Sequence, residues 1–323
     1  MTDQRTSLSF KADGMDLFAL LLKNMFLTMF TFGIYSFWGK INVQKFLHRG
    51  THIDGEAMDF HGTGEEKFIG FLKGAGIIIV LVIAAAVLIA VLSRFIPAEI
   101  VSPIVTLLFY SLFLLATPML IVGKRRYFLS RSSWRGVRFL FTGRWKKLGW
   151  LLLKGGFFTV ITLCIYLPWF VHDIRAFMIN NSCYGTEPFV YTGNRNTYAK
   201  LSWIGLLLTI LTLGIFSFWL TAALEKHFIN NTTLQGKKLS CDLTGGLLFK
   251  TALVNLLLIV FTFGIAASWV LVRNYRVYFG SIALEGAIDL EAIQAGVDAK
   301  ASALADGVSE AADVLDTIAD FIG

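Results

Sequence analysis

One phrase recurs along the chain. Phe30-Thr31-Phe32-Gly33-Ile34-Tyr35-Ser36-Phe37-Trp38 returns as Leu211-Thr212-Leu213-Gly214-Ile215-Phe216-Ser217-Phe218-Trp219 and as Phe261-Thr262-Phe263-Gly264-Ile265-Ala266-Ala267-Ser268-Trp269. A weaker copy runs from Ile161-Thr162 to Pro168-Trp169, which puts tryptophans at 169, 219 and 269, a period of 50. Trp38, Trp219 and Trp269 are each followed 17 residues later by a glycine (Gly55, Gly236, Gly286), and Trp169 by Gly185 after 16. Counting back 17 from Gly136 marks a degenerate fifth copy around Met119, 81 residues after Trp38, or one period plus 31. Units of this size are supersecondary pieces that bury their apolar faces on one another.

Each unit reads as an apolar helix of four to five turns, a break at Thr-x-Gly-Ile, a second short helix and a β-hairpin. Glycine favours the break because it adopts the left-handed conformation freely just past a helix end. Ser36, Ser217 and Thr117 stand where an N-cap would restart the chain, and Pro118 and Pro168 fit a first helical turn. The hairpin turns are expected at Asp54-Gly55, Arg135-Gly136, Tyr184-Gly185, Gln235-Gly236 and Glu285-Gly286. The resulting units are 1–67 (a first strand and repeat 1), 68–98 (an inserted transmembrane helix), 99–146, 147–196, 197–246 and 247–290 (repeats 2 to 5), and 291–323 (an acidic, alanine-rich tail).

Composition places these units in a membrane. The chain is 55% hydrophobic, 16% charged and of mean hydropathy +0.65, against roughly a quarter charged in a typical soluble domain. Asp, Glu, Lys and Arg are missing from 24–39, 74–93, 100–123, 155–172, 201–224 and 251–272, and five of these six runs are long enough to cross a bilayer with tilt. The fold class expected is therefore a polytopic α-helical membrane protein of about five broken helix pairs with small hairpins and a β-rich cytoplasmic face. Residues 124–147 carry nine bases and no acid, which places that loop in the cytoplasm by the positive-inside rule. Five similar basic modules facing one water phase favour paired helices that go in and come back; the short pairs would then be re-entrant and shielded by protein. The acids at 1–16 do not make a signal peptide, and the three cysteines Cys164, Cys183 and Cys241 form no CxxC pair.

The stretches TFGIYSFW…FLHRGTHIDGEAMDFHGTG and TLGIFSFWL…HFINNTTLQG resemble the YjgN-like family of bacterial inner-membrane proteins, a domain of unknown function. The resemblance extends over nearly the whole chain and implies inner-membrane residence with several spans. It implies no substrate, cofactor or catalytic residue.

A base six or seven residues after each Trp position is the sharpest candidate feature: Lys45, Arg126, Arg175, Lys226 and Arg276. Such cations can snorkel beside interfacial Trp38, Trp169, Trp219 and Trp269, or can hold lipid phosphate or another anion. Thr31, Gly33, Thr162, Thr212, Gly214, Thr262 and Gly264 mark the turns. The His48, His52 and His61 cluster matches no zinc spacing, so no metal and no cofactor is expected. GxSxG, HExxH and Walker-type motifs are missing, so no catalytic residue and no enzyme is expected. Two functions compete. One is a non-enzymatic module of the inner membrane binding anionic lipid or a protein partner, itself included. The other is a channel or transporter for a small, possibly anionic, solute, which requires polar groups converging at the turns. Nucleic acid is not an expected partner, because a basic segment beside apolar spans meets anionic lipid first.

Overall fold

The computed structural model describes residues 5–286 together with Asp289, Glu291 and Ile293. Its order is β1 (Arg5–Phe10), α1 (Gly14–Phe30), α2 (Ser36–Gly50), β2 (Thr51–Ile53), β3 (Glu56–Phe60), α3 (Gly64–Leu92) and α4 (Ala98–Ser130). There follow β4 (Ser132–Trp134), β5 (Val137–Phe141), α5 (Trp145–Ile161), α6 (Leu167–Asn180), β6 (Ser182–Tyr184) and β7 (Glu187–Tyr191). The chain continues with α7 (Arg195–Leu211), α8 (Ser217–Asn230), β8 (Thr232–Leu234), β9 (Lys237–Cys241), α9 (Gly245–Phe261), α10 (Ala267–Gly280) and β10 (Ile282–Glu285).

Strands this short cannot stand as separate hairpins, because their edges would be left unpaired. Each hairpin therefore pairs with the next, always antiparallel, as in Phe139↔Tyr184 and Phe189↔Leu234. Strand β1 closes the circle: Leu8–Phe10 pair with β2 and Arg5–Ser7 with β10. The result is a closed barrel in which sequence neighbours are spatial neighbours throughout. Trp134, Val137, Tyr184 and Leu234 meet inside it, and Ile293, fully buried, joins them. The Tyr184 hydroxyl donates to the Trp134 carbonyl at 2.9 Å, which satisfies its polar end in this packed interior.

Every odd-numbered helix leaves the barrel and every even-numbered helix returns to it. Consecutive helices pack on each other and α10 packs on α1, so the helices form a ring above the barrel. Capping fixes the departures: Asp13 accepts from Gly14 N, Thr63 forms a capping box with Glu66, and Asn194 accepts from Asn196 N and Thr197 N.

The expected polytopic helical membrane protein is overturned. The chain is a ten-stranded closed antiparallel barrel carrying ten helices among the described residues, and two of these are long enough to span a membrane. The runs 201–224 and 251–272 are not single spans: each folds back, at the expected Thr-x-Gly-Ile break, into two helices of 14 or 17 residues. The break expected at Thr117-Pro118 is not made. Helix α4 runs through both Pro103 and Pro118, and the Thr117 hydroxyl instead bonds the Phe113 carbonyl within the helix. The acidic tail lies outside the described residues beyond Ile293.

Candidate membrane interface

Four turns at the end of the ring farthest from the barrel share one geometry. The threonine hydroxyl donates to the carbonyl four residues back (Thr31 to Leu27, Thr162 to Phe158, Thr212 to Leu208, Thr262 to Leu258) at 2.6–2.7 Å. The same oxygen accepts the amide four residues on, at Tyr35, Tyr166, Phe216 and Ala266, at 2.9–3.0 Å. Two backbone bonds complete a Schellman arrangement, as in Gly33 N to Thr28 O and Phe32 N to Met29 O. The threonines, not Ser36 or Ser217, thus cap the returning helices. Turns that satisfy their own polar groups in this way can enter hydrocarbon, where an open one could not.

The left-handed residue at each helix end is not the glycine but the residue before it. Phe32, Leu163, Leu213 and Phe263 have φ between 48° and 51°; Gly33, Gly214 and Gly264 follow with positive φ as well, and Cys164 takes that place in its turn at φ 69°. A side chain in this conformation costs about 1–2 kcal/mol. The four side chains receive no packing in return, being 98%, 87%, 95% and 97% exposed. Strained backbone held in order to present a large apolar tip points to a contact outside the chain.

Helices α3 and α4 reach beyond these tips. Gly64–Leu92 and Glu99–Ser130 are long, strongly apolar helices whose apolar faces are largely exposed. The uncharged run 74–93 is 20 residues long, about 30 Å and so the thickness of a hydrocarbon core. These two helices are long and apolar enough to cross a membrane.

The five aligned cations have different fates. Counting back from the first residues of β2, β4, β6 and β8, Arg175 is seven residues before Ser182, as Gln44, Arg125 and Glu225 are before Thr51, Ser132 and Thr232. Lys45, Arg126 and Lys226 come one residue later, where the α6 sequence has Ala176. Arg175 therefore pairs with Glu225, through Nη1 at 2.7 Å and Nη2 at 2.5 Å, and lies over the Phe228 ring. Burial disfavours its charge, but the Glu225 carboxylate more than offsets this and raises its pKa. Tyr278 also donates to Glu225, and burial with that carboxylate pushes its hydroxyl up to about 12. Arg126 and Arg276 donate to the carbonyls of Gly143 and Ala12, just ahead of the next odd helix. Lys226 is half-buried. Lys45 lines a cavity of about 490 Å³ with Lys11, Lys23, Arg49 and His52, and no acid among the described residues lines it.

The tryptophans wedge between neighbouring helix pairs. Trp38 covers Gly64, Trp219 covers Gly245 and Trp269 covers Gly14, while Trp169 Nε1 donates to Asn196 Oδ1 at 3.0 Å. The histidines do not assemble a metal site: His48 bonds Ser132 Oγ at 3.0 Å and His61 bonds Ser133 Oγ at 2.8 Å. Among the described residues no group of three His, Cys, Asp or Glu side chains could hold a metal ion.

Sequence reasoning missed a second helix-ring feature, a cavity of about 1020 Å³ between α1, α2 and the barrel ends of α3 and α4, containing Lys40, Lys67 and Lys124. The lysines are far apart in sequence, so no local motif signals them.

No curated protein and no solved structure matches the chain. A family described as a bacterial protein of unknown function, DUF898, matches residues 5–191, 186–239 and 220–311. The YjgN-like resemblance is to this same family. With matches that together run from the first strand past the last, the chain belongs to the DUF898 family of bacterial proteins of unknown function.

Proposed function

We propose that the chain is a non-enzymatic module of the bacterial inner membrane that holds anionic lipid on the basic, barrel-side ends of its helices. In this reading the barrel stands in the cytoplasm, the helix ring sinks into one leaflet, and α3 and α4 alone cross, with Arg94 and Glu99 on the far side. The four exposed apolar tips carry the reading. The distances agree with it: Lys23 to Phe32 and Lys154 to Leu163 span nine residues, Lys200 to Leu213 and Lys250 to Phe263 thirteen. Those lengths are roughly 14–20 Å along a helix, about half of a 30 Å core. The nine bases of 124–147 support a cytoplasmic barrel.

A channel reading draws less support. Its polar groups at the turns are the threonines, and each is committed to its own turn. Within the barrel Trp134, Val137, Tyr184, Leu234 and Ile293 pack on one another.

The native cysteines supply the test. Cys164 is exposed at a tip, while Cys183 and Cys241 are buried. A water-soluble maleimide is expected to leave Cys164 unmodified in intact and in opened membrane vesicles, and to modify it once detergent is added and exchanged for denaturant. Modification of Cys164 in vesicles by reagent on either side would sink the reading. Asp54→Cys should react from the cytoplasmic side and Ile96→Cys from the opposite side.

A further inference from the structure

We propose that the cavity between α1, α2 and the barrel ends of α3 and α4 is a site for one anionic phospholipid, and this rests on the reading that the ring lies in lipid. Its volume, about 1020 Å³, stands at the upper end of the range for small-ligand pockets. Three cations line it, Lys40, Lys67 and Lys124, and among the described residues no carboxylate does. Glu66, beside Lys67, is already engaged by Arg131 and by the Tyr127 hydroxyl at 3.0 Å. Lys67 Nζ donates to Gln44 Oε1 at 2.9 Å, an amide that orients the ammonium without neutralising it. Among the described residues Lys40 and Lys124 make no ion pair. Three like charges converging on one space without a counter-ion fit an anion held there.

The opposite wall is apolar and runs toward the tips. Leu21, Met25 and Met29 recur every four residues and so share one face of α1. That stripe extends about 12 Å along the helix, toward the bilayer interior in the proposed orientation. Lys67 stands in the first turns of α3 and Lys124 near the end of α4, both toward the barrel. Lys67 and Lys124 at the water side, Lys40 one turn farther from the barrel than Gln44 on α2, and a thioether-rich stripe leading inward match a phosphate head with an acyl tail. The smaller cavity around Lys45 has the charge but offers only Ala12, Leu20 and Phe46 as apolar wall, so the lipid is assigned to the larger one.

The test uses the full-length protein, delipidated in a neutral detergent, with phosphatidylglycerol retention counted by native mass spectrometry against phosphatidylcholine of the same chains and against inorganic phosphate. One phosphatidylglycerol should be held in preference to phosphatidylcholine, and inorganic phosphate should not displace it. Each of K40Q, K67Q and K124Q should weaken retention roughly fivefold, and the triple variant roughly a hundredfold. The triple arginine variant, which keeps the charges, should bind within a few-fold of wild type and shows that the site tolerates substitution. K237Q with K238Q on the β9 strand should change nothing. Equal retention of the two lipids, an unaltered triple glutamine variant, or displacement by free phosphate would each overturn the assignment. Those results leave the vesicle labelling of Cys164 untouched, so failure of the lipid site and failure of the membrane reading are separable.

Discussion

The indole of Trp269, in the last helix, lies over Gly14, in the first, so closely that a β-carbon on Gly14 would stand 2.4 Å from its Cδ1. Trp219 over Gly245 repeats the arrangement between α8 and α9, but there the backbone is also close, with Trp219 Cα 2.5 Å from the same hypothetical atom. The tryptophans flagged as membrane anchors thus act as wedges that join one helix pair to the next.

That difference between the two wedges has a measurable consequence. Gly14→Ala and Gly245→Ala should each destabilise the folded protein by about 1–3 kcal/mol through overpacking. Adding Trp269→Leu should recover much of the loss at Gly14, where the three nearest atoms all belong to the indole. Adding Trp219→Leu should not recover it at Gly245. Thermal unfolding in one detergent measures both double-mutant cycles; equal rescue at the two sites would contradict the geometry.

At the tips, two truncations of the same ring should differ. Phe263 has φ 50°, so Phe263→Gly removes the ring and the conformational penalty, whereas Phe263→Ala removes only the ring. The glycine variant should be the more stable by about 1 kcal/mol. Unfolding midpoints of the two variants decide the matter, and an alanine variant as stable as the glycine one would refute a strained tip.

Removing the Glu225 carboxylate should leave Arg175 facing a half-buried space without its counter-ion. Glu225→Gln is expected to cost about 1–3 kcal/mol, as for a charge-assisted hydrogen bond. The expected cost is kept below that of a fully buried pair because both side chains retain contact with solvent. Arg175→Met combined with Glu225→Gln should lose less than the sum of the single variants, a coupling that unfolding free energies would reveal or exclude.

His48 sets a pH dependence. Burial holds its pKa below the usual histidine value, against the raising influence of the Gln44 carbonyl and Asp59. The folded state therefore binds this proton less readily than the unfolded chain. Stability from the neutral ring is complete above the unfolded histidine pKa of about 6.5 and is lost as pH falls below it, until the lower folded-state pKa is passed. His48→Gln should flatten that part of the stability profile; an unchanged slope between pH 6.5 and the acid limb would show that other groups dominate there.

The sequence made some of this legible and concealed the rest. The turn sites were readable because Asp54-Gly55 and Gln235-Gly236 need left-handed backbone, and both pairs have it. The fold-backs were readable at Thr212 and Thr262 for the same reason, although the strain lies on Leu213 and Phe263 rather than on the glycines after them. The barrel was not readable, because pairing such as Phe139↔Tyr184 joins residues 45 apart and has no local signature. Hydropathy over-counted the spans because it measures how apolar a run is and not whether the chain turns within it. Arg175 was aligned with Lys226 by its distance from a tryptophan, whereas the strand register places it opposite Glu225, and the charges agree with the register.

Closure of the barrel depends on Arg5–Phe10, which bridges β2 and β10. During synthesis this first strand has only one of its two partners until the segment around Ile282–Glu285 emerges, about 275 residues later. The α3–α4 hairpin and four further helix pairs are made in that interval. Completion of the circle consequently waits for β10, and a ribosome that stops short of it leaves an open sheet with two free edges.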